Sequence, residues 1–277
     1  MVYVNQGFCQ KLHWYLNIFG KSLAYRGIQG SGTVFFSGCN FSCIFCQNYQ
    51  ISQDGFGKEV SVERLATIFI EQQNRGVHNI NLVSPTIFVD SIIEAIKIAK
   101  ENGLKIPIVY NTNGYETVET IKKLSGFIDI YLPDLKYFDD EVALKYSKVP
   151  HYFENASKAI LEMTNQVGQA VFNSDGIMQK GVIIRHLILP GNIIQTKKII
   201  EWIKQNIPKD VYISIMAQYF PAYKAKDDAT ICRKINKKEY DIVVDLIKDF
   251  KNGFIQDLRW AWRRVCSNIW FIKCMIS

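Results

Sequence analysis

Six short apolar runs punctuate this chain, at 33–37, 79–83, 107–111, 128–132, 182–189 and 211–215, and they are rich in Val, Ile, Tyr and Phe. None alternates strictly between apolar and polar residues. That pattern predicts strands covered on both faces, as in a parallel sheet flanked by helices. Between the runs, apolar residues recur at helical spacing and the ends are readable. Ser61 stands in capping position before Val62, Leu65, Ala66 and Phe69, and Gly76 supplies the exit. Asp90 is expected to open a second helix over 91–102, with Ile92, Ile93, Ile96 and Ala99 turned inward and Gly103 closing it. Further helices are predicted over 117–124, 155–166, 196–206 and 237–251. Six strand-helix units with right-handed crossovers predict an α/β fold, a partial (β/α)6 barrel of TIM-like form.

Such a sheet carries its chemistry at the carboxyl ends of the strands. Polar residues stand just beyond the runs: Ser84-Pro85-Thr86, Asn111-Thr112-Asn113-Gly114, Pro133-Asp134-Leu135-Lys136 and Gln218-Tyr219. The fifth run carries Arg185-His186 and leaves through Pro190-Gly191. Asn113-Gly114 and Pro190-Gly191 are also ordinary turn dipeptides. The joint placement after successive strands nevertheless marks Ser84, Asn113, Asp134 and Lys136 as candidate site residues. Arg185 and His186 are adjacent, so they point to opposite faces and only one enters the cavity; a satisfied core histidine is the alternative for His186.

With 277 residues and 48% hydrophobic content, the chain is sized for one large domain, and no linker or repeat divides it. No stretch of 18 apolar residues and no signal pattern appears, so a cytoplasmic protein without a transmembrane span is expected. The net charge of +7 includes the pairs Lys122-Lys123, Lys197-Lys198 and Lys237-Lys238, which read as solvated helix faces. A basic face also suits an acidic partner. No dense basic-aromatic stripe lies outside the tail, so no nucleic acid is expected. The tail over 258–277, with Trp260, Trp262, Arg263, Arg264 and Trp270, reads as a helix closing the barrel bottom or a surface element; Lys273 and the arginines exclude a spanning helix.

Cys39, Cys43 and Cys46 change the picture most. Three thiolates within eight residues are soft ligands, which select zinc, copper or iron-sulfur clusters. The intervals reach at most ~14 Å and ~11 Å when extended, enough slack to curl round a cluster. A closed zinc site needs a fourth ligand, but His13, His78, His151 and His186 are scattered singly, and Cys9, Cys232, Cys266 and Cys274 form no pair at zinc-knuckle spacing. Seven cysteines without a secretory signal also argue against a disulfide framework. Three ligands suit an iron-sulfur cube with one iron left open; a structural metal clip or reduced free cysteines is the other reading.

The loop, with Phe45 directly before its third cysteine, resembles the signature of the radical S-adenosylmethionine (SAM) superfamily. In that superfamily three cysteines hold a [4Fe-4S] cluster, SAM chelates the fourth iron, and one electron cleaves SAM to a 5′-deoxyadenosyl radical. Over about 30–251 the chain resembles the activating enzymes of pyruvate formate-lyase and their uncharacterised relatives, through Gly38-Cys-Asn-x2-Cys-x2-Cys-Gln-Asn, His78-Asn-Ile-Asn-Leu-Val, Tyr110-Asn-Thr-Asn-Gly-Tyr, Tyr131-Leu-Pro-Asp-Leu-Lys-Tyr and Ile184-Arg-His-Leu-Ile-Leu-Pro-Gly. The resemblance implies a barrel of the radical SAM type, with Cys39, Cys43 and Cys46 on the cluster and Phe45 near the adenine. It places Ser84 at the SAM amino group and matches Asp134 and Lys136 to an Asp-Leu-Lys that contacts SAM. Asn111, Asn113, Arg185 and His186 complete the cofactor-binding candidates. The implied activity is hydrogen abstraction, with a backbone glycine of a formate-lyase-like enzyme as one target and a flavodoxin or ferredoxin as electron donor. A radical SAM enzyme acting on another peptide or a small molecule, and a non-catalytic three-cysteine module, are the rivals.

The chain departs from the activases in places. They carry Asp where Asn111 stands, as part of a monovalent-cation site, and a Tyr-His pair where Gln218-Tyr219 stands. His13 precedes no Glu-Glu-Pro, and Gly7-Phe8-Cys9 is all that matches a cysteine-rich N-terminal segment of the relatives. Residues 1–29 therefore read as an N-terminal extension open to truncation, 30–252 as the radical SAM core and 253–277 as an aromatic, basic tail.

Overall fold

The computed structural model describes residues 2–7 and 29–258. The expectations for Cys9, His13 and the tail beyond residue 258 lie outside these residues. All six expected strands form: β2 (Gly32–Phe36), β4 (Ile80–Val83), β5 (Ile108–Thr112), β6 (Ile130–Pro133), β8 (Met178–Leu187) and β9 (Tyr212–Met216). They lie side by side in that order and all pair in parallel. β10 (Gly253–Ile255) extends the parallel run beyond β9, and β1 (Val2–Gly7) and β3 (Lys58–Val60) add antiparallel strands beyond β2. A short β7 (Val171–Phe172) folds back on the start of β8. These added strands, two to six residues long, are too short for periodicity to reveal.

The helices are α1 (Tyr49–Ser52), α2 (Val62–Asn74), α3 (Val89–Glu101), α4 (Val118–Lys123), α5 (Asp140–Ser147), α6 (Tyr152–Val167), α7 (Ile193–Asn206) and α8 (Lys237–Ile247). Ser61 caps α2 by accepting from the Arg64 amide, and Gly76 leaves it with φ +80°. Asp90 does not cap α3. A 3-10 turn over Thr86–Phe88 runs straight into that helix, so Asp90 sits within its first turn, where it favours the helix dipole. α6 begins three residues earlier than expected because the Asp140 carboxylate accepts from the His151 and Tyr152 amides at 3.0 and 3.1 Å. α8 ends at Ile247 rather than 251, since the chain must turn there to lay β10 beside β9. α5 carries no sequence signal strong enough to predict it.

Side chains sort by face although the runs show no polar alternation. Val109, Ile130, Leu132, Met178 and Ile183 form an inner cluster. Tyr110, Tyr131, Val182 and Ile184 instead join the main core against the helices, with Ile92, Ile160 and Ile199. Two residues on from Ile183, Arg185 shares the inner face; His186 shares the helix side with Ile184.

Candidate functional site

The cysteine loop leaves the carboxyl end of β2 and is tied down at several points. The Ser42 and Ile44 amides donate to the Ser147 and Tyr146 carbonyls at 3.1 and 2.9 Å, so the end of α5 grips the loop. Asn40 Nδ2 donates to the Tyr115 carbonyl at 2.9 Å, and Gln53 Nε2 to that of Phe41 at 2.8 Å. Asn113 Nδ2 donates to Asn40 Oδ1 at 2.6 Å, joining the loop to the turn after β5. Cys43 is buried, Cys39 and Cys46 half-buried. Burial pushes the Cys43 thiol up to about 12, against the opposing pull of the Lys136 charge, and raises Cys39 as well. A bound cation acts in the opposite sense to burial, favouring the thiolate form of a ligating cysteine. Among the described residues no three His, Cys, Asp or Glu side chains converge on one ion.

Beside the loop, the ends of β6 and β8 bring three charges together. Asp134 bridges to Arg185 in register. Its carboxylate lies 2.5 Å from Lys136 Nζ and 2.7 Å from Arg185 Nη2, with all three side chains less than a fifth exposed. Burial alone pushes the Asp134 carboxyl up, but Arg185 and Lys136 outweigh it and hold the group below the usual carboxylate range. Burial likewise works to lower Lys136, and the Asp134 charge reverses the direction. Arg185 Nη2 also donates to Asn111 Oδ1 at 2.6 Å, while its Nε is buried without a hydrogen-bond partner among the described residues. Two cations to one carboxylate, with a spare donor, leave the corner fit for an added anion.

Phe45 is buried edge-on to Tyr219, centroids 5.8 Å apart, beneath the loop that follows β9. Ser84 holds φ +56° at the end of β4, a strained conformation for a residue with a Cβ, and its amide donates to the Asn111 carbonyl at 3.0 Å. His186 stands apart from this group. Its ring spans the Leu135 carbonyl at 2.7 Å and Thr196 Oγ1 at 2.8 Å, and burial pushes its pKa down to about 4. It is a neutral core histidine behind the sheet, because its neighbour Arg185 takes the inner face.

Several rim residues carry no sequence signal. Glu116 is buried, and its Oε1 accepts from Thr112 Oγ1 at 2.6 Å, Thr86 Oγ1 at 2.7 Å and Tyr110 OH at 3.2 Å. It therefore joins the segment after β4 to β5. Tyr152 OH donates towards the Asn113 and Asp134 carbonyls at 2.9 and 2.8 Å and accepts from the Lys136 amide at 2.9 Å. Only the folded chain shows that these side chains turn back to the rim.

Sequence comparison decides the family. The sequence model of the radical SAM superfamily matches residues 33–203. This chain is a member of the radical SAM superfamily. It is 33% identical over 270 residues to the uncharacterized protein MJ0674 of Methanocaldococcus jannaschii, covering 92% of this chain and 74% of that one. It is 25% identical over 162 residues to the pyruvate formate-lyase-activating enzyme of Clostridium pasteurianum, covering 57% of this chain and 61% of the other. Among solved structures, methylornithine synthase aligns with TM-score 0.55 at 17% identity, over 80% of this chain and 63% of that one. SuiB of Streptococcus suis bound to S-adenosylmethionine aligns with TM-score 0.53 at 15% identity, over 82% of this chain. The chain spans about half the length of SuiB. At such identities these likenesses concern the fold. Radical SAM proteins use a [4Fe-4S] cluster and SAM, and the chain is a radical SAM enzyme. The residues present fit both groups: three soft sulfur ligands on one loop, and a buried corner with excess positive charge suited to the SAM carboxylate.

Proposed function

We propose that Cys39, Cys43 and Cys46 ligate the cluster and that Phe45, Ser84, Asn111, Asn113, Asp134, Lys136 and Arg185 surround SAM. When bound, cluster and SAM supply a 5′-deoxyadenosyl radical that abstracts a hydrogen atom. The protein's part is to bind, orient and exclude water. Lys136 and Arg185, held by Asp134, bind the SAM carboxylate; the strained Ser84 turn lies at its amino group; Phe45 covers the adenine. The observation that carries this reading is the meeting of the three-cysteine loop and the Asp134-Lys136-Arg185 corner at the carboxyl ends of one parallel sheet. A Lys136→Met variant should keep its iron and sulfide but lose at least about tenfold in SAM affinity, as for a buried charge-assisted bond. Unchanged affinity contradicts the assignment.

The finer reading is a glycyl-radical activating enzyme, supported by the likeness to the C. pasteurianum enzyme and by the Tyr131-Leu-Pro-Asp-Leu-Lys-Tyr run. A flavodoxin or ferredoxin in the cytoplasm is the electron donor that this reading requires. Its test is anaerobic co-expression with a formate-lyase homologue, followed by mass spectrometry for oxygen-dependent cleavage at glycine; an intact partner chain removes the activase claim. One contact favours another substrate. Asn111 Oδ1 is occupied by Arg185 at 2.6 Å, where the activases are expected to bind a monovalent cation, so the site is built differently beside SAM. On that reading the target is another peptide or a small molecule.

A further inference from the structure

Each of the three cysteine sulfurs meets a different polar side chain from a different part of the fold. Cys43 Sγ lies 2.9 Å from Ser147 Oγ on the last turn of α5. Cys46 Sγ lies 3.1 Å from Ser52 Oγ on α1. Cys39 Sγ accepts from Asn113 Nδ2, after β5, at the longer distance of 3.6 Å.

Counting hydrogens fixes the direction of the two short contacts once the sulfurs are metal ligands. A ligating thiolate has no proton, so it only accepts. Ser147 Oγ also touches Tyr137 OH at 2.6 Å. With the Cys43 thiolate able only to accept, the single Ser147 proton goes to that sulfur, and Ser147 Oγ is left to accept from the phenol. Tyr137 therefore donates to Ser147, and the Ser147 proton is left for Cys43. In the same way Ser52 Oγ accepts from Gln53 Nε2 at 3.3 Å, which leaves its own proton for Cys46.

We propose that Ser147, backed by Tyr137, and Ser52 set the reduction potential of the cluster by donating hydrogen bonds to two of its thiolate ligands, an inference that rests on the cluster assignment above. A donor on a ligand sulfur stabilises the more negative, reduced cluster and raises its potential. The setting strengthens the effect. Ser147 is 0% and Tyr137 1% exposed, so water does not compete for either hydroxyl. Ser147 is also fixed to the loop that it serves, because its carbonyl accepts from the Ser42 amide at 3.1 Å. A buried serine hydroxyl is costly unless its hydrogen bonds are used, and both of these are.

The test is a redox titration followed by electron paramagnetic resonance on the anaerobically reconstituted full chain, without SAM. In Ser147→Ala the reduced-to-oxidised ratio at a fixed potential should fall about fivefold, a downward shift of about 40 mV for a one-electron couple. Ser52→Ala should shift the same way, Tyr137→Phe less far, and Ser147→Thr, which keeps the hydroxyl, should restore the wild-type value. Wild-type potentials in both alanine variants, or a threonine variant displaced as far as the alanine one, overturn the proposal. If Ser147→Ala fails to fold, Ser52→Ala and Tyr137→Phe carry the same decision. A wild-type chain that assembles no cluster overturns the assignment underneath; a cluster whose potential ignores every variant overturns the tuning alone.

Discussion

Single residues decide how tightly the rim is built. Gly114 holds φ +86°, and a Cβ there would stand 2.1 Å from the Asp134 carbonyl oxygen. Both the dihedral and the contact exclude a side chain, so Gly114→Ala should lose about 3 kcal/mol or more in denaturant titration, from strain and a backbone clash together. His186 gives a second prediction. Its folded pKa of about 4 lies below the ordinary value of 6.5 because burial penalises the charged ring. Above pH 6.5 the ring is neutral in both states and costs nothing. As pH falls, the unfolded chain gains a proton that the folded chain refuses, so stability is lost between about pH 6.5 and 4, by about 3 kcal/mol in all. Unfolding free energies across this window should fall in the wild type and much less in His186→Asn; parallel slopes contradict the assignment. The adjacent pair Arg185-His186 was legible as one inward and one outward residue from strand alternation alone. Which of them faces the cavity was not, because that depends on where the sheet curves.

Among the elements, the contacts between neighbouring loops do the positioning. Glu116 accepts three hydroxyls from two elements, so Glu116→Ala leaves the buried Thr112 and Tyr110 and the half-buried Thr86 without that acceptor. We expect a loss of about 2–4 kcal/mol in urea unfolding, and less than half of it in Glu116→Gln, which keeps one carbonyl oxygen in place. An alanine variant as stable as wild type contradicts this role. α5 holds the cysteine loop through the Ser147 and Tyr146 carbonyls, yet nothing in the sequence announces it. Its eight residues show weak apolar periodicity, and its function appears only through contacts made some hundred residues away along the chain. The strong helices are the opposite case: Ser61 before α2 caps as its chemistry predicts, because a cap is a local device. Asp90 shows the limit of that logic, since a preceding 3-10 turn takes over the helix start.

At the scale of the whole molecule, the parallel sheet follows from six apolar runs buried on both faces, and their order follows from short right-handed connections. The antiparallel strands β1 and β3 and the added β10 do not follow, because strands of three to six residues at a sheet edge are specified by their partner rather than by their own pattern. Among the described residues no helix is long and apolar enough to cross a membrane. The fold brings the cysteine loop and the positive corner to one rim, and the account depends on a cluster with one iron free to take SAM. The most direct measurement is electron paramagnetic resonance of the anaerobically reconstituted, reduced chain before and after SAM is added. We predict iron and sulfide consistent with one [4Fe-4S] cluster and a signal that changes on adding SAM. Zinc without iron or sulfide, or a cluster signal indifferent to SAM, contradicts the account.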